Sequence, residues 1–483
     1  MRLSQVAGAL ADAGIEHLRR GDADLAGVTH RTEAVGSGTL FCCIPGSRVD
    51  GHDLAGQAVD AGATALLVER PLDLDVAQLE VPSVRAAMGP VAARYWGDPS
   101  RALTVVGVTG TNGKTTTVAL LRAVFEAAGR RCEVLGTLTS APGGPPTTPD
   151  APELQAQLAA WRDAGVEVVA MEVSSHALAM HRVDGTWFEI AGFTTLGHDH
   201  LDLHGDIGSY FEAKALLFRP ERTRRAVVRG DDEWGARLVD RLAGGDVEVR
   251  PYRLADAEDL RTTAAGSRFR LRGEDVELPL HGRHNVANAL CAAGVADWLG
   301  VPPATVAAGL ATVPTVAGRF ELVDQGQPFT VAVDYAHTPD ALQTVLDAAR
   351  ERAVADGGRV LVVFGCGGDK DRAKRPEMGR VAAESADVVV VTSDNPRSED
   401  PMSIIEEVLA GIPADADAGA GHVRTIVDRA EAIHHAAREA GDHDVVVIAG
   451  KGHETTQTFA DRVVDFDDRA VAAEALRALG HQR

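Results

Sequence analysis

The sequence predicts an α/β protein of three domains: a small N-terminal α/β domain, a central P-loop-type domain on a parallel sheet, and a C-terminal Rossmann-like α/β domain. Three observations predict it. The chain has 483 residues, too many for one hydrophobic core. From Leu103 onward, short β-branched runs alternate with helical stretches, the pattern of βα units that build parallel sheets with helices on both faces. One of these units carries a glycine-rich turn ending in Lys114-Thr115, the strand–turn–helix setting that a phosphate loop requires.

Taken in order, residues 1–98 form the first block. Val28 to Glu33 and Gly38 to Gly46 read as strands, Gly51 to Ala61 as a helix, and Ala63 to Glu69 as a strand. Tyr95-Trp-Gly-Asp-Pro-Ser100 closes the block, because Gly, Asp and Pro punctuate regular structure. The second block, 99–317, opens on the strand Leu103 to Val108, followed by the glycine turn and a helix from about Thr115. Val166 to Glu172, Ile190 to Leu196 and Arg225 to Arg229 are further runs of strand length. Residues 252–280 are short, polar and alternating, which predicts a small antiparallel insertion ahead of a helix beginning near Asn285. The third block, 318–483, has strands at Phe329 to Asp334, Val360 to Gly365, Ala386 to Thr392 and Asp444 to Ala449. Each ends in a polar or glycine cluster, where open α/β sheets carry ligand sites. Ala414 to Gly421 reads as a surface loop, and no internal repeat is present.

Composition narrows the classes of function. A net charge of −22 disfavours nonspecific binding to nucleic acid or to an anionic membrane surface. Phosphate must therefore be held by local devices. The five cysteines show no C-x-x-C spacing and fit a reducing compartment. The N-terminal residues lack the apolar core of a signal peptide, and no run of about 18 apolar residues suggests a membrane span. The expectation is a cytoplasmic protein.

The chemistry starts at Gly110-Thr-Asn-Gly-Lys-Thr-Thr116. Glycines let backbone N–H groups approach phosphate oxygens, the helix N-terminus adds positive potential, and Lys114 supplies a point charge. Thr115 is placed to hold a Mg²⁺ through its hydroxyl. Val108 stands where the standard spacing has its first glycine, so this is a variant loop; its competitor is an ordinary glycine turn. Glu172 ends an apolar strand, a place where a carboxylate commonly binds Mg²⁺, the alternative being an idle surface glutamate. His198-Asp-His-Leu-Asp-Leu-His204 has a spacing that admits zinc, but Mg²⁺ sites in phosphoryl transfer need little imidazole. Of these histidines, His200 is the candidate retained.

These stretches, with five more in order, resemble the Mur ligases, ATP-dependent amide-forming enzymes of peptidoglycan precursor synthesis. The motifs are Gly110 to Thr116, Met171-Glu-Val-Ser-Ser-His176, Asp199-His-Leu-Asp202, Phe211-Glu-Ala-Lys-Ala-Leu-Leu217, Gly282-Arg-His-Asn-Val-Ala-Asn288, Gly318-Arg-Phe-Glu321, Val333-Asp-Tyr-Ala-His-Thr-Pro339 and Gly450-Lys-Gly-His-Glu454. The resemblance implies ATP and Mg²⁺ as cofactors, an acyl-phosphate intermediate, and domains that close to exclude water. It implies that Gly110, Thr111, Asn112, Gly113, Lys114, Thr115 and Thr116 cradle the phosphates. Thr115, Glu172, His200 and Lys214 would hold metal, Lys214 as a carbamate. Read without the resemblance, Lys214 is a solvated helix residue. Asn285 and Asn288 fit the adenine side, and Arg319 and Asp334 would reach the nucleotide from the third block. Arg31, Thr147, Thr148, Ser174 and Arg182 are expected on a UDP-sugar substrate.

Thr392-Ser-Asp-Asn-Pro-Arg-Ser-Glu-Asp-Pro401 resembles the signature of members that add meso-diaminopimelate to UDP-N-acetylmuramoyl-L-alanyl-D-glutamate. A second amino-acid head group needs a donor fork for its carboxylate and an acceptor for its ammonium. Lys370, Asp394, Asn395, Pro396, Arg397, Gly450 and Glu454 are the candidates, with Arg397 on the carboxylate, Glu454 on the ammonium and Asn395 able to serve either. The competing reading of Asn395-Pro396-Arg397 is a turn with a solvated arginine. Departures from the family pattern are Thr29-His30 before Arg31, Met180, Thr195, and Lys370 where an arginine is common. L-Lysine or a folylpolyglutamate-type ligation remain alternatives for substrate, and a non-catalytic nucleotide-binding paralogue an alternative for class. No nucleic acid, no membrane insertion and a monomer are expected.

Overall fold

The structure, a computed structural model, describes residues 1–46, 49–139, 147–199, 201–263, 265–413 and 422–481. Its strands fall into three large sheets that follow one another along the chain. The first has the order Leu18–Arg20, Ala77–Glu80, Ala63–Val68, Thr39–Cys42 and Gly27–Thr29, parallel except at the Leu18–Arg20 edge. The helices Leu3–Asp12 and Val84–Tyr95 cover one face, burying Leu3, Val6, Leu10, Met88 and Val91 against Leu40 and Leu67.

The central sheet is parallel throughout, ordered Glu248–Tyr252, Arg225–Arg229, Ile190–Phe193, Thr104–Thr109, Val168–Glu172 and Cys132–Leu135. The chain leaves Thr104–Thr109 toward one edge and later crosses to the other side through Ile190–Phe193. Loops from three neighbouring strands therefore open a crevice at one end of the sheet, the place where open α/β sheets bind ligands. Both faces are covered, so the strands read as continuous apolar runs. On one face Lys114–Ala127, Arg283–Trp298 and Pro303–Ala311 bury Leu120, Val124, Leu290 and Leu310. The opposite core contains Leu154, Leu158, Met171, Phe193 and Phe218. A three-stranded antiparallel sheet, Glu258–Thr263, Gly266–Leu271 and Glu274–Leu278, packs Phe269 and Val276 into the first of these cores.

The third large sheet runs Glu321–Leu322, Thr330–Asp334, Val445–Ala449, Val360–Phe364, Val388–Val391 and His422–Thr425, parallel except at its first, short strand. A hairpin, Thr456–Thr458 with Val463–Asp465, stands apart from it.

Some boundaries differ from the sequence reading. The Val28 to Glu33 strand stops at Thr29, because the Thr29 hydroxyl accepts the Arg31 N–H at 3.1 Å and turns the chain into a short 3₁₀ segment, Thr32–Ala34. The Gly51 helix likewise starts as a 3₁₀ turn, Gly51–Leu54, capped by Asp50. Glu248–Tyr252 joins the central sheet as its edge, where Pro251 is tolerated, so the antiparallel insertion begins only at Glu258. The Ala414 to Gly421 loop lies outside the described residues.

Candidate active site

The glycine loop expected to hold phosphate sits where the strand Thr104–Thr109 hands over to the helix Lys114–Ala127. Gly113 caps that helix at φ 87°, and a Cβ there would lie 2.3 Å from Asn288 Oδ1. Only glycine meets both demands. The loop is tied to the next strand's end: Thr111 N–H donates to Thr195 O at 2.7 Å and the Thr194 hydroxyl to Asn112 O at 2.6 Å. Thr195, one of the departures, donates its hydroxyl to Asp232 Oδ2 at 2.9 Å and so braces the same turn from behind.

Two lysines converge on one carbonyl. Lys114 Nζ donates to Gly110 O at 2.7 Å and Thr111 O at 2.8 Å, and Lys214 Nζ donates to the same Gly110 O at 2.9 Å. Lys214 is 1% exposed, and its nitrogen lies 4.3 Å from the centre of the Tyr210 ring. Burial, and then the charge of Lys114, hold the Lys214 amine well below the usual lysine range, with Asp199 opposing them. Lys114 is lowered too, again by burial, but Glu172 and Asp199 favour its charge. The lowering is the stronger at Lys214, where the Lys114 charge adds to burial, while at Lys114 the two carboxylates offset part of it. The solvated reading of Lys214 is wrong, because its helix docks onto the phosphate loop.

Glu172 is 1% exposed at the end of its strand; its Oε1 accepts the Thr137 N–H at 2.8 Å and its Oε2 the Thr137 hydroxyl at 3.3 Å. It is not an idle surface charge. Glu172, Thr115 and the loop line a cavity of about 550 Å³. The third sheet supplies the far wall. Arg319 Nη2 donates to the Thr115 hydroxyl at 3.3 Å while its guanidinium rests 4.7 Å from the Tyr335 ring. Asp334 accepts from Phe320 N–H and Ala336 N–H at 2.7 and 2.8 Å, and burial raises its pKa. Asp340 Oδ2 accepts the His198 N–H at 2.8 Å, a second link between the two halves of the cavity. Asn285 Nδ2 donates to His281 O at 2.8 Å, and Asn288 Nδ2 to Asn285 Oδ1 at 3.2 Å, both in the cavity wall. Thr111, Asn112 and Thr116 also line it. His200 lies outside the described residues; among those described, no group of three His, Cys, Asp or Glu is placed to hold a metal.

The residues expected on the sugar nucleotide divide. Thr148, fully buried, donates its hydroxyl to Glu172 O at 3.0 Å and accepts Ser174 N–H at 3.4 Å. Ser174 caps the helix Ser175–Ala179. Arg182 Nη1 donates to Thr148 O at 3.3 Å and its Nε pairs with Asp150 at 3.1 Å, while its Nη2 touches Met180 Sδ at 3.6 Å. Thr147 lies 3.5 Å from the Thr137 hydroxyl. These form one ledge beside Glu172. Arg31 is apart from it, exposed and paired with Glu33 at 2.6 Å. Its neighbour His30 instead faces the ledge, 3.6 Å from both Asp150 and Glu153.

The amino-acid candidates gather at the ends of the strands Val360–Phe364, Val388–Val391 and Val445–Ala449. Gly368 N–H donates to Asn395 O at 2.9 Å, and Arg397 Nη1 to Gly368 O at 2.7 Å, so two loops are zipped together. Arg397 is half-buried, with φ 52°, and Lys370 is exposed. Asp394 Oδ2 packs so close to Gly450 that a Cβ there would stand 2.6 Å away, and Pro396 is buried beside Asn395. Asn395 Nδ2 donates to Glu454 Oε2 at 2.9 Å. Glu454 already has a cation, Lys451, at 3.3 Å.

Four basic residues here were missed in the sequence. Lys451 and Arg429 are buried; Arg375 is buried as well and donates to Glu399, Glu407 and Gly367 O; Lys374 donates to His337 O at 2.8 Å. The Arg375 bonds hold the Glu399 carboxyl down at about 2. Two of the four, Lys374 and Arg375, flank the Gly367 loop, and Lys451 lies inside the Gly450 motif.

Comparison with known proteins gives three domain matches in chain order: "Mur ligase family, catalytic domain" over residues 24–96, "Mur ligase middle domain" over 108–296, and "Mur ligase, glutamate ligase domain" over 318–452. A UDP-N-acetylmuramoyl-L-alanyl-D-glutamate--2,6-diaminopimelate ligase of Syntrophomonas wolfei is 43% identical over 475 residues, covering 94% of this chain and 95% of the relative. The protein of the same name from Geobacillus kaustophilus is 44% identical over 478 residues, covering 95% and 96%. A solved structure of that name matches with a TM-score of 0.67 at 33% identity, covering 95% of this chain and 96% of the other. MurF from Acinetobacter baumannii, 19% identical with a TM-score of 0.68 over 98% of each chain, shares the fold. Relatives this similar along nearly their whole length, with three domain models matched in chain order, show that the chain belongs to the Mur ligase family.

Proposed function

We propose that this chain is an ATP-dependent amide ligase that adds meso-diaminopimelate to UDP-N-acetylmuramoyl-L-alanyl-D-glutamate in cytoplasmic peptidoglycan precursor synthesis. The observation that carries the reading is the meeting of Lys114, Thr115 and Glu172 with Arg319 and Asp334 in one cavity between the second and third sheets. The relatives' names support the substrates. In this reading residues 1–98 bind the UDP-sugar, 99–317 the ATP and 318–483 the amino acid.

Carboxylate and amine do not condense in water, so the acid is first converted to an acyl phosphate by the γ-phosphoryl of ATP. That transfer asks for positioning and charge neutralisation rather than covalent help. Lys114 and the loop amides hold the phosphates, and Arg319 reaches the same place from the third domain. Closure of that domain keeps water from the acyl phosphate. The ledge of Thr147, Thr148, Ser174 and Arg182 orients the UDP-dipeptide beside Glu172, with Arg31 at the exposed rim.

The donor set suits Mg²⁺. A carboxylate buried to 1% exposure and a threonine hydroxyl share the cavity, and both are hard oxygen donors. Glu172, Thr115, His200 and the Lys214 carbamate would hold the ion, which supplies neutralisation of phosphate charge. Lys214 is suited to become that carbamate: the deprotonated amine adds to CO₂, forming an N–C bond and releasing a proton, and the nitrogen then carries a carboxylate-like ligand. An L-alanyl-D-glutamate substrate labelled with oxygen-18 in the reacting carboxylate tests the route. The released phosphate should carry one label; unlabelled phosphate would sink the acyl-phosphate step.

A further inference from the structure

Asn395, 6% exposed, is held on two sides by groups of opposite character. Its Oδ1 accepts from Thr458 N–H at 3.0 Å and from the Lys451 ammonium at 3.2 Å. Its Nδ2 donates to Glu454 Oε2 at 2.9 Å. A backbone N–H and an ammonium can only donate, and a carboxylate oxygen here accepts. One orientation of the amide satisfies all three; the flipped one sets NH₂ against two donors and an oxygen against a carboxylate.

Lys451 is one of the two donors that set that preference. It is fully buried, and Thr456 O anchors its Nζ at 2.6 Å while the same nitrogen reaches Glu454 Oε2 at 3.3 Å. One ammonium therefore touches two of the side chains expected to meet the amino acid.

We propose that Lys451 is a positioning residue that sets amino-acid specificity: it turns Asn395 into a donor and holds the Glu454 carboxylate beside it as an acceptor. The inference rests on the proposed function and deepens it. The sequence left Asn395 free to serve either a carboxylate or an ammonium; the geometry removes that freedom. Asn395 Nδ2 spends one hydrogen on Glu454 and presents the other, next to Arg397, to the distal carboxylate of meso-diaminopimelate. The Glu454 carboxylate takes the distal ammonium. L-Lysine brings the ammonium without the carboxylate and leaves two donors unanswered.

The test uses the full-length protein with UDP-dipeptide, ATP, Mg²⁺ and either meso-diaminopimelate or L-lysine. A parent protein that does not ligate meso-diaminopimelate overturns the functional reading, and this inference with it. With an active parent, Lys451→Met should raise KM for meso-diaminopimelate about tenfold or more and leave KM for ATP within about twofold. An unchanged KM for the amino acid, or an equal rise in every KM, overturns the role of Lys451 alone. Because Lys451 is buried, Asn395→Asp provides a second reading that needs no change at the lysine. The lost donor should raise KM for meso-diaminopimelate by about tenfold. An unaltered KM contradicts the proposal.

Discussion

Arg429→Met probes how the amino-acid loops are held. Arg429 and Asp468 are joined by two parallel bonds of 2.8 Å, Nε to Oδ1 and Nη2 to Oδ2, and neither side chain is exposed. The guanidinium also donates to Ser393 O at 3.3 Å and Ala449 O at 2.9 Å, the residues just before Asp394 and Gly450. Removing the guanidinium strands a carboxylate in a dry interior and frees two carbonyls. Breaking a buried pair from one side costs about 3–5 kcal/mol. For a domain of this size that corresponds to a fall of roughly 6–20 °C in its melting temperature. Calorimetry is the assay, because three domains need not melt together and the affected transition must be resolved. Adding Asp468→Leu should restore most of the loss, since replacing both partners by apolar groups is often close to neutral. A single-variant loss below about 1 kcal/mol would mean the pair behaves like a surface one and refute the reasoning. So would a double variant no more stable than the single.

Lys114→Ala should abolish ligation; residual activity within about tenfold of the parent, or ~1.4 kcal/mol of barrier, would remove Lys114 from the transferring phosphoryl group. Lys214→Ala should be largely inactive and partly rescued by short carboxylates, and full activity without added acid would take Lys214 out of the metal site. The depressed pKa of Lys214 gives a sign to the pH dependence: its amine stays neutral to lower pH than a free lysine, and acidification through the folded pKa protonates it and blocks addition to CO₂. In CO₂-depleted buffer, activity should therefore fall at the acidic side first and recover with bicarbonate; a profile indifferent to bicarbonate would contradict the carbamate. Arg397→Ala should raise KM for meso-diaminopimelate, leave ATP binding nearly unchanged and narrow the preference over L-lysine, as competition assays would show.

Local chemistry was legible and long-range burial was not. The phosphate loop shows in sequence because strand, glycine turn, lysine and helix are consecutive, and Glu172 because a charge ending an apolar strand has few other uses. Lys214 could be found only through the resemblance: its burial comes from a carbonyl 104 residues away, which no periodicity reports. Arg375, Arg429 and Lys451 were invisible for the same reason, since a lone basic residue in a loop or helix reads as solvated until its partners are known. Arg31 and His30 show how little spacing says about partners. Arg31, expected on the substrate through the resemblance, pairs with Glu33, while its neighbour His30 lies 3.6 Å from Asp150. In the third block the positions of the strands were readable from their valine runs, but the short partners Glu321–Leu322 and His422–Thr425 carry too few apolar residues to stand out.

The central claim is tested most directly by phosphate release from purified protein, ATP and Mg²⁺ against a panel of amino acids, with and without the UDP-dipeptide. The account predicts release only when UDP-N-acetylmuramoyl-L-alanyl-D-glutamate and meso-diaminopimelate are both present, with L-lysine poorer by about 10⁴-fold in kcat/KM because it leaves the donors of Asn395 and Arg397 unpaired. Equal use of L-lysine would contradict the specificity, and release that needs neither substrate would contradict the ligase itself.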